Sequence, residues 1–291
     1  MIPLLAPPRS CSSLVAAMLG QHPELYASAE LECFTGDTIA DCVRFTERVP
    51  AVTLHGLVRT LAQLQAGRQC NASVEAAWQW LEARGDWSGA QLVAWLEAQV
   101  APRRLIDKSP IHLLQWRSLE RVSRVCAGEP VLHLARHPLT AMISLMNVYQ
   151  IRGAALSHAE ALTAWVRGHS LALRYVRKYS GTPALILRCE DLLMNPEVSL
   201  MRVCRHLDIS AEPDAIEAML HPERSPFACL GPSRAMWGND PHWMRSPVLR
   251  RCDQDRSADW NPPLSALWGI DEVDIELRAE AIALAIQLGY Q

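Results

Sequence analysis

Lysine is nearly missing from this chain: of 28 basic side chains in 291 residues, only Lys108 and Lys178 are lysines, and the rest are arginines. In such a background a lysine is worth inspecting, because a compact ammonium and a planar guanidinium are not interchangeable donors. An excess of one charge sign is missing too. The formal net charge is −3 and no block of like charges occurs, which excludes the basic stripe of a general nucleic-acid or membrane-surface binder. No apolar run reaches the roughly 18 residues that a membrane-crossing helix requires. The N-terminus lacks a basic segment and carries Pro7, Pro8 and Arg9 where a secretion signal would be apolar. A cytoplasmic protein with neither membrane nor nucleic acid as partner is expected. Among nine cysteines no two are spaced C-x-x-C, and no Cys/His group has zinc-like spacing. The expectation is reduced, mostly buried thiols and no metal. Neither G-x-x-x-x-G-K-S/T nor G-x-G-x-x-G is present, which weakens the ATPase and dinucleotide-dehydrogenase readings.

What is present is an ordinary globular composition, 49% hydrophobic and 20% charged, in a chain long enough to bury a core without staples. Ile2 to Ala6 is a short apolar run broken by Pro7-Pro8-Arg9-Ser10, and Ser12 to Leu19 reads as a helix closed by Gly20. A second unit runs Val131 to Ala135, then Arg136-His137-Pro138, then a helical pattern from Leu139. A third strand, Ala184 to Arg188, precedes an amphipathic segment from Val198 to Leu207. Strands alternating with helices predict an α/β fold, with a P-loop-like, mainly parallel sheet flanked by helices. We expect one domain over residues 1–291. Residues 43–100 would form a helical insertion after the first βα unit, a lid over the acceptor pocket, although its tryptophans fit ordinary core equally well. Residues 221–263, polar and proline-rich, would form a long donor and acceptor loop.

The first turn carries chemistry. Between a strand and a helix, the unpaired N–H groups and positive dipole end of the helix meet at one point, which favours an anion. Arg9, Ser10, Cys11, Ser12 and Ser13 surround that point, with a guanidinium and hydroxyls available to phosphate oxygens. The plain alternative is a serine-capped helix after a proline turn.

Pro8-Arg9-Ser10-Cys11-Ser12-Ser13-Leu14, then Met18-Leu19 and His22-Pro23, resembles the P-R-S-G-S/T-S/T-L…ML…HP opening of sulfotransferases. Leu134-Ala135-Arg136-His137-Pro138 with Ser144 resembles that family's L-x-R-x-P…S element. Asp107-Lys108-Ser109-Pro110 is similar to D-K-S/T-P, Arg188-Cys189-Glu190-Asp191-Leu192 to R-Y-E-D-L, and Asn239-Asp240-Pro241-His242-Trp243 to a late G-D-P-x-F loop. The likeness is to bacterial sulfotransferases of natural-product pathways and, more distantly, to tyrosylprotein sulfotransferases. Three positions depart from the pattern: Cys11 for a loop glycine, Cys189 for tyrosine and Asn239 for glycine.

The resemblance implies a co-substrate, 3′-phosphoadenosine 5′-phosphosulfate (PAPS), with PAP as product and no metal. It places the 5′-phosphosulfate on the first loop and the 3′-phosphate at Arg136 and Ser144. Lys108 and Arg9 would stabilise charge on the transferring group. For the proton acceptor, the histidine that small-molecule sulfotransferases carry two residues after the lysine is replaced by Pro110. Glu30, which matches the glutamate that tyrosylprotein sulfotransferases and the polyketide relatives carry near the acceptor, is the implied candidate base, and His242 is the second candidate. The implied acceptor is a small specialised metabolite bearing a hydroxyl, amine or amide nitrogen, free or tethered to an acyl- or peptidyl-carrier protein. Two rivals stay open: a P-loop small-molecule kinase, and a protein of this fold that binds PAP or PAPS without turnover.

Overall fold

The computed structural model describes residues 1–49, 52–151, 153–181, 183–252 and 257–291. Residues 50–51 of the expected insertion and 253–256 of the expected late loop lie outside the described residues. Five parallel strands, β1 (Ile2–Leu5), β2 (Leu25–Ala27), β3 (Arg104–Asp107), β4 (Leu132–Ala135) and β5 (Leu185–Arg188), form a sheet in the order β2-β3-β1-β4-β5. The register sets Ile2 beside Ile106, Leu4 beside Leu132, and Leu132 beside Leu185. Every residue of β1 is buried, as expected of a central parallel strand covered on both faces, which reads as an unbroken apolar run rather than an alternation. The chain moves outward from β1 to β2, returns through β3, and crosses to β4 on the other side of β1. A reversal of this kind opens a crevice at the carboxyl end of the central strand.

Helix α1 (Ser12–Leu19) is buried along its whole length and packs with the sheet residues Ile2, Leu4, Ile106, Leu132 and Leu187. Between β2 and β3 come α2 (Ile39–Arg48), α3 (His55–Ala66), α4 (Asn71–Glu82) and α5 (Gly89–Val100). Their buried faces join Leu5, Leu105 and Val131 in a second core. The tryptophans of this stretch behave as core. Trp80 lies 4.6 Å from Trp95 and 5.6 Å from Trp87, ring centre to ring centre, and all three pack on that cluster. A third core joins α7 (Pro138–Ile151), α8 (His158–Tyr179) and the C-terminal helix Ile275–Gln287. Strands β2 and β3 escaped the sequence reading because their apolar runs, Leu25-Tyr26-Ala27 and Leu105-Ile106, are shorter than those at β1, β4 and β5.

The late segment is tied to the insertion by one fully buried arginine. The Arg59 guanidinium donates to the carbonyls of Trp237 at 3.0 Å and Cys229 at 2.8 Å, and to Gln69 Oε1 at 2.6 Å. Gly56 and Gly238 also meet there. A Cβ on Gly238 would stand 2.4 Å from Gly56 Cα, and one on Gly56 would stand 2.2 Å from the Glu30 carbonyl oxygen. No side chain fits either place. At the other end Glu190 accepts from the His137 N–H at 2.8 Å and the Tyr290 hydroxyl at 2.9 Å. Among the described residues no helix is long and apolar enough to cross a membrane.

Beneath β4, His133 Nε2 and His169 Nδ1 share a hydrogen bond of 2.9 Å in a fully buried setting. Burial pushes His133 down to about 4 and His169 well below its ordinary value. In the unfolded chain both take up protons near pH 6.5, whereas in the folded one they stay neutral. Stability from this pair is complete above pH 6.5 and is lost as pH falls toward 4. Urea unfolding between pH 7 and 4.5 should therefore show a shallower loss of stability in His133→Gln than in the parent, and equal slopes would contradict this account.

Candidate active site

The carboxyl end of β1 turns through Pro7-Pro8 into a tight loop in which two non-glycine residues adopt left-handed backbone, Arg9 at φ 71° and Cys11 at φ 59°. Cys11 is the N-cap of α1 and makes no side-chain cap bond. The first amides of the helix are thus left to whatever occupies the crevice. The Arg9 guanidinium is held in place by Ser144 Oγ, to which Nε donates at 3.0 Å, and by the Asp240 carboxylate at 2.7 Å. Arg136 donates to the Arg9 carbonyl at 3.2 Å and to Thr140 Oγ1 at 3.2 Å. Burial draws the Arg136 pKa below its ordinary value, as for a guanidinium short of solvation and of a full anionic partner.

The Asp107-Lys108-Ser109 segment ends β3 and acts as a template for the residues around Glu30. The Asp107 carboxylate accepts from the Leu31 N–H at 3.3 Å and the Ser109 hydroxyl at 2.8 Å, while Ser109 Oγ accepts from the Glu32 N–H at 3.0 Å. Burial pushes Asp107 up to about 6, with the Ser109 and Leu31 donors opposing the rise. Glu30, anchored also by its N–H to the Gly238 carbonyl at 2.9 Å, presents Oε1 to Lys108 Nζ at 2.5 Å. Lys108 also donates to Ser13 Oγ at 3.2 Å and Asn239 Oδ1 at 3.0 Å.

Most of these groups face one open cavity of about 760 Å³, whose described lining includes Arg9, Cys11, Ser12, Ser13, Glu30, Arg136, Ser144, Asn239, Asp240 and His242. Ser10 is not in the described wall: its hydroxyl is buried and has no hydrogen-bond partner among the described residues. Lys108 lies beneath the wall, fully buried. His242 stands in the wall, exposed, with its backbone N–H on Asp240 Oδ1 at 3.0 Å. The described residues of the insertion do not line the cavity; they act on it through Gly56 and Arg59. Sequence reasoning missed the lining role of Trp243, Arg245, Arg250 and Trp260, since nothing in their spacing marks a pocket. Among the described residues no group of His, Cys, Asp and Glu could hold a metal ion.

A family model described as the sulfotransferase family matches residues 2–213. The chain belongs to that family. No curated protein matches this sulfotransferase. Its fold is that of a sulfotransferase domain from the curacin biosynthetic pathway, with TM-score 0.76 and 23% identity, covering 100% of this chain and 98% of the other. A sulfotransferase domain from the Synechococcus PCC 7002 olefin synthase is similar too, with TM-score 0.77 and 25% identity, over 100% of this chain and 94% of that one.

One feature of this sulfotransferase corrects the expectation of reduced thiols throughout. Cys11 and Cys189 form a disulfide, with Cα atoms 6.2 Å apart across a separation of 178 residues. Both occupy positions that depart from the family pattern, and the fold brings the two departures together. Spacing gave no clue, because the ends of β1 and β5 approach only once β4 lies between them. The bond links the first loop to the start of α9 (Cys189–Met194), whose Glu190 supports the turn after β4. Cys189→Ala should lower unfolding stability by about 2–4 kcal/mol and speed amide exchange in residues 9–13, and a thiol reductant should do the same to the parent. Alkylation of residues 11 and 189 in the native, unreduced protein would show that the bond does not form.

Proposed function

We propose that this sulfotransferase moves the sulfuryl group of PAPS to a hydroxyl, or to an amine or amide nitrogen, of a small specialised metabolite. The observation that carries the reading is the Lys108–Glu30 pair at the foot of a cavity whose wall holds an uncapped helix start, Arg9 and Arg136. The first loop suits a phosphosulfate: backbone amides, the Ser12 and Ser13 hydroxyls and Arg9 converge on it. Ser13 Oγ accepts from Lys108 and from the Asp240 N–H, so its own proton is the one directed elsewhere. Arg136 and Ser144 form a second corner, for the 3′-phosphate.

The acceptor oxygen or nitrogen attacks sulfur in line with the bond to the 5′-phosphate. A new bond to sulfur forms, the bond between sulfur and the phosphate oxygen breaks, and PAP leaves with that electron pair. Glu30 takes the acceptor's proton, and Lys108 offsets charge gathering on the sulfuryl and bridging oxygens. Fixed cations do this work, so the reading needs no metal. His242, exposed in the wall, is the second candidate for handling the proton. Arg245 and Arg250, exposed and lining the same cavity, give a basic mouth that favours an acceptor delivered on an acidic acyl- or peptidyl-carrier protein. We place the whole activity in one domain over residues 1–291, in the cytoplasm.

PAP should raise the melting temperature well above the effect of ATP or NAD, and Arg9→Ala should remove that rise; an equal response to ATP favours the kinase rival. Lys108→Arg should keep the fold and lose about a hundredfold or more in turnover. Tight PAP binding without transfer to any of a broad panel of nucleophiles would favour the rival that binds without turnover.

A further inference from the structure

An ammonium has three N–H donors, and in Lys108 all three are engaged, by Glu30, Asn239 and Ser13. During transfer this arrangement weakens. Once Glu30 has taken the acceptor's proton it is neutral and holds the ammonium less strongly, while the ammonium must stay beside the donor loop. A lysine stem is flexible, and with Glu30 as its main anchor the ammonium would follow the carboxylate. Asn239 supplies a second anchor that carries no charge. Its side chain is buried, Oδ1 accepts from Lys108 at 3.0 Å, and Nδ2 donates to the Phe227 carbonyl at 3.4 Å. Those two partners determine the orientation of the amide, since the reverse would set an NH₂ against an ammonium and an oxygen against a carbonyl. The backbone around it is equally fixed. Gly238 accepts from Glu30, the Asp240 N–H donates to Ser13, and Asp240 holds Arg9.

We propose that Asn239 is a positioning residue for sulfuryl transfer, holding the Lys108 ammonium against the donor loop when the acceptor's proton neutralises Glu30. The proposal rests on the sulfuryl-transfer reading of the same site. A carboxylate at this position would also anchor the lysine but would neutralise the charge that transfer requires. A residue without a side chain would leave the ammonium to Glu30 and Ser13. The neutral amide does what neither can.

The scarcity of lysine makes the test direct. Labelling with ¹³C,¹⁵N-lysine places the label in two residues, Lys108, fully buried, and Lys178, whose side chain is 52% exposed. In the PAP-bound protein Lys108 should give a narrow, solvent-protected ammonium signal. In Asn239→Ala that protection should be lost, and kcat should fall about 10- to 100-fold with the KM for PAPS changed less than about threefold. Asn239→Asp, nearly isosteric and therefore a safeguard against misfolding, should keep the protected signal yet lose kcat. Wild-type kcat in Asn239→Ala, an unaltered Lys108 signal in that variant, or full activity in Asn239→Asp would each overturn the proposal. A parent protein that transfers no sulfuryl group would instead overturn the reading of function, while the Lys108 signal would still show whether Asn239 anchors the lysine.

Discussion

The buried ammonium of Lys108 is the point on which the candidate site depends. It sits at the end of β3 and touches α1 through Ser13, the segment after β2 through Glu30, and the late loop through Asn239. Three stretches that are distant in sequence are thereby referred to one charge. A fully buried cation is tolerable only when paired and hydrogen-bonded on all sides, so the lysine imposes order on each partner. The template below it, Asp107 and Ser109 holding the amides of Leu31 and Glu32, extends that order to the backbone flanking Glu30.

Around that centre the fold handles two cationic groups in different ways. Arg9 is held by Ser144 and Asp240, while Arg136 donates to a backbone carbonyl and a threonine hydroxyl. Among the described residues neither guanidinium engages all five of its donors, which suits the proposed anion site. The loop between them contains two left-handed residues that bear side chains, a conformation that costs about 1 kcal/mol or more at each. The disulfide from Cys11 to Cys189 and the arginine contacts above the loop hold it there.

The helical insertion contributes in a way its composition does not suggest. Its tryptophans pack its own core, whereas a glycine and an arginine reach the site. Gly56 lets the Gly238 turn and the Glu30 backbone approach closely, and Arg59 ties down the carbonyls of the late segment. The expected lid is thus a buttress behind the late loop as far as the described residues go.

The sequence by itself determined the class of fold and pointed to the first loop as a candidate anion site. Those signals are local: an apolar run, a turn, a helix start, and charged residues at short spacing. It identified Lys108, Glu30, Arg9, Arg136, Ser144 and His242 as a set but could not say how they meet. Only the tertiary structure decided that Lys108 lies under the wall with Glu30 as its ion-pair partner, and that Ser144 steadies Arg9. It alone joined Cys11 to Cys189 and set Asn239 against Lys108. The reason is physical. Each of these contacts joins segments far apart in the chain that only the tertiary fold brings together, and no local pattern announces the order of the strands in advance.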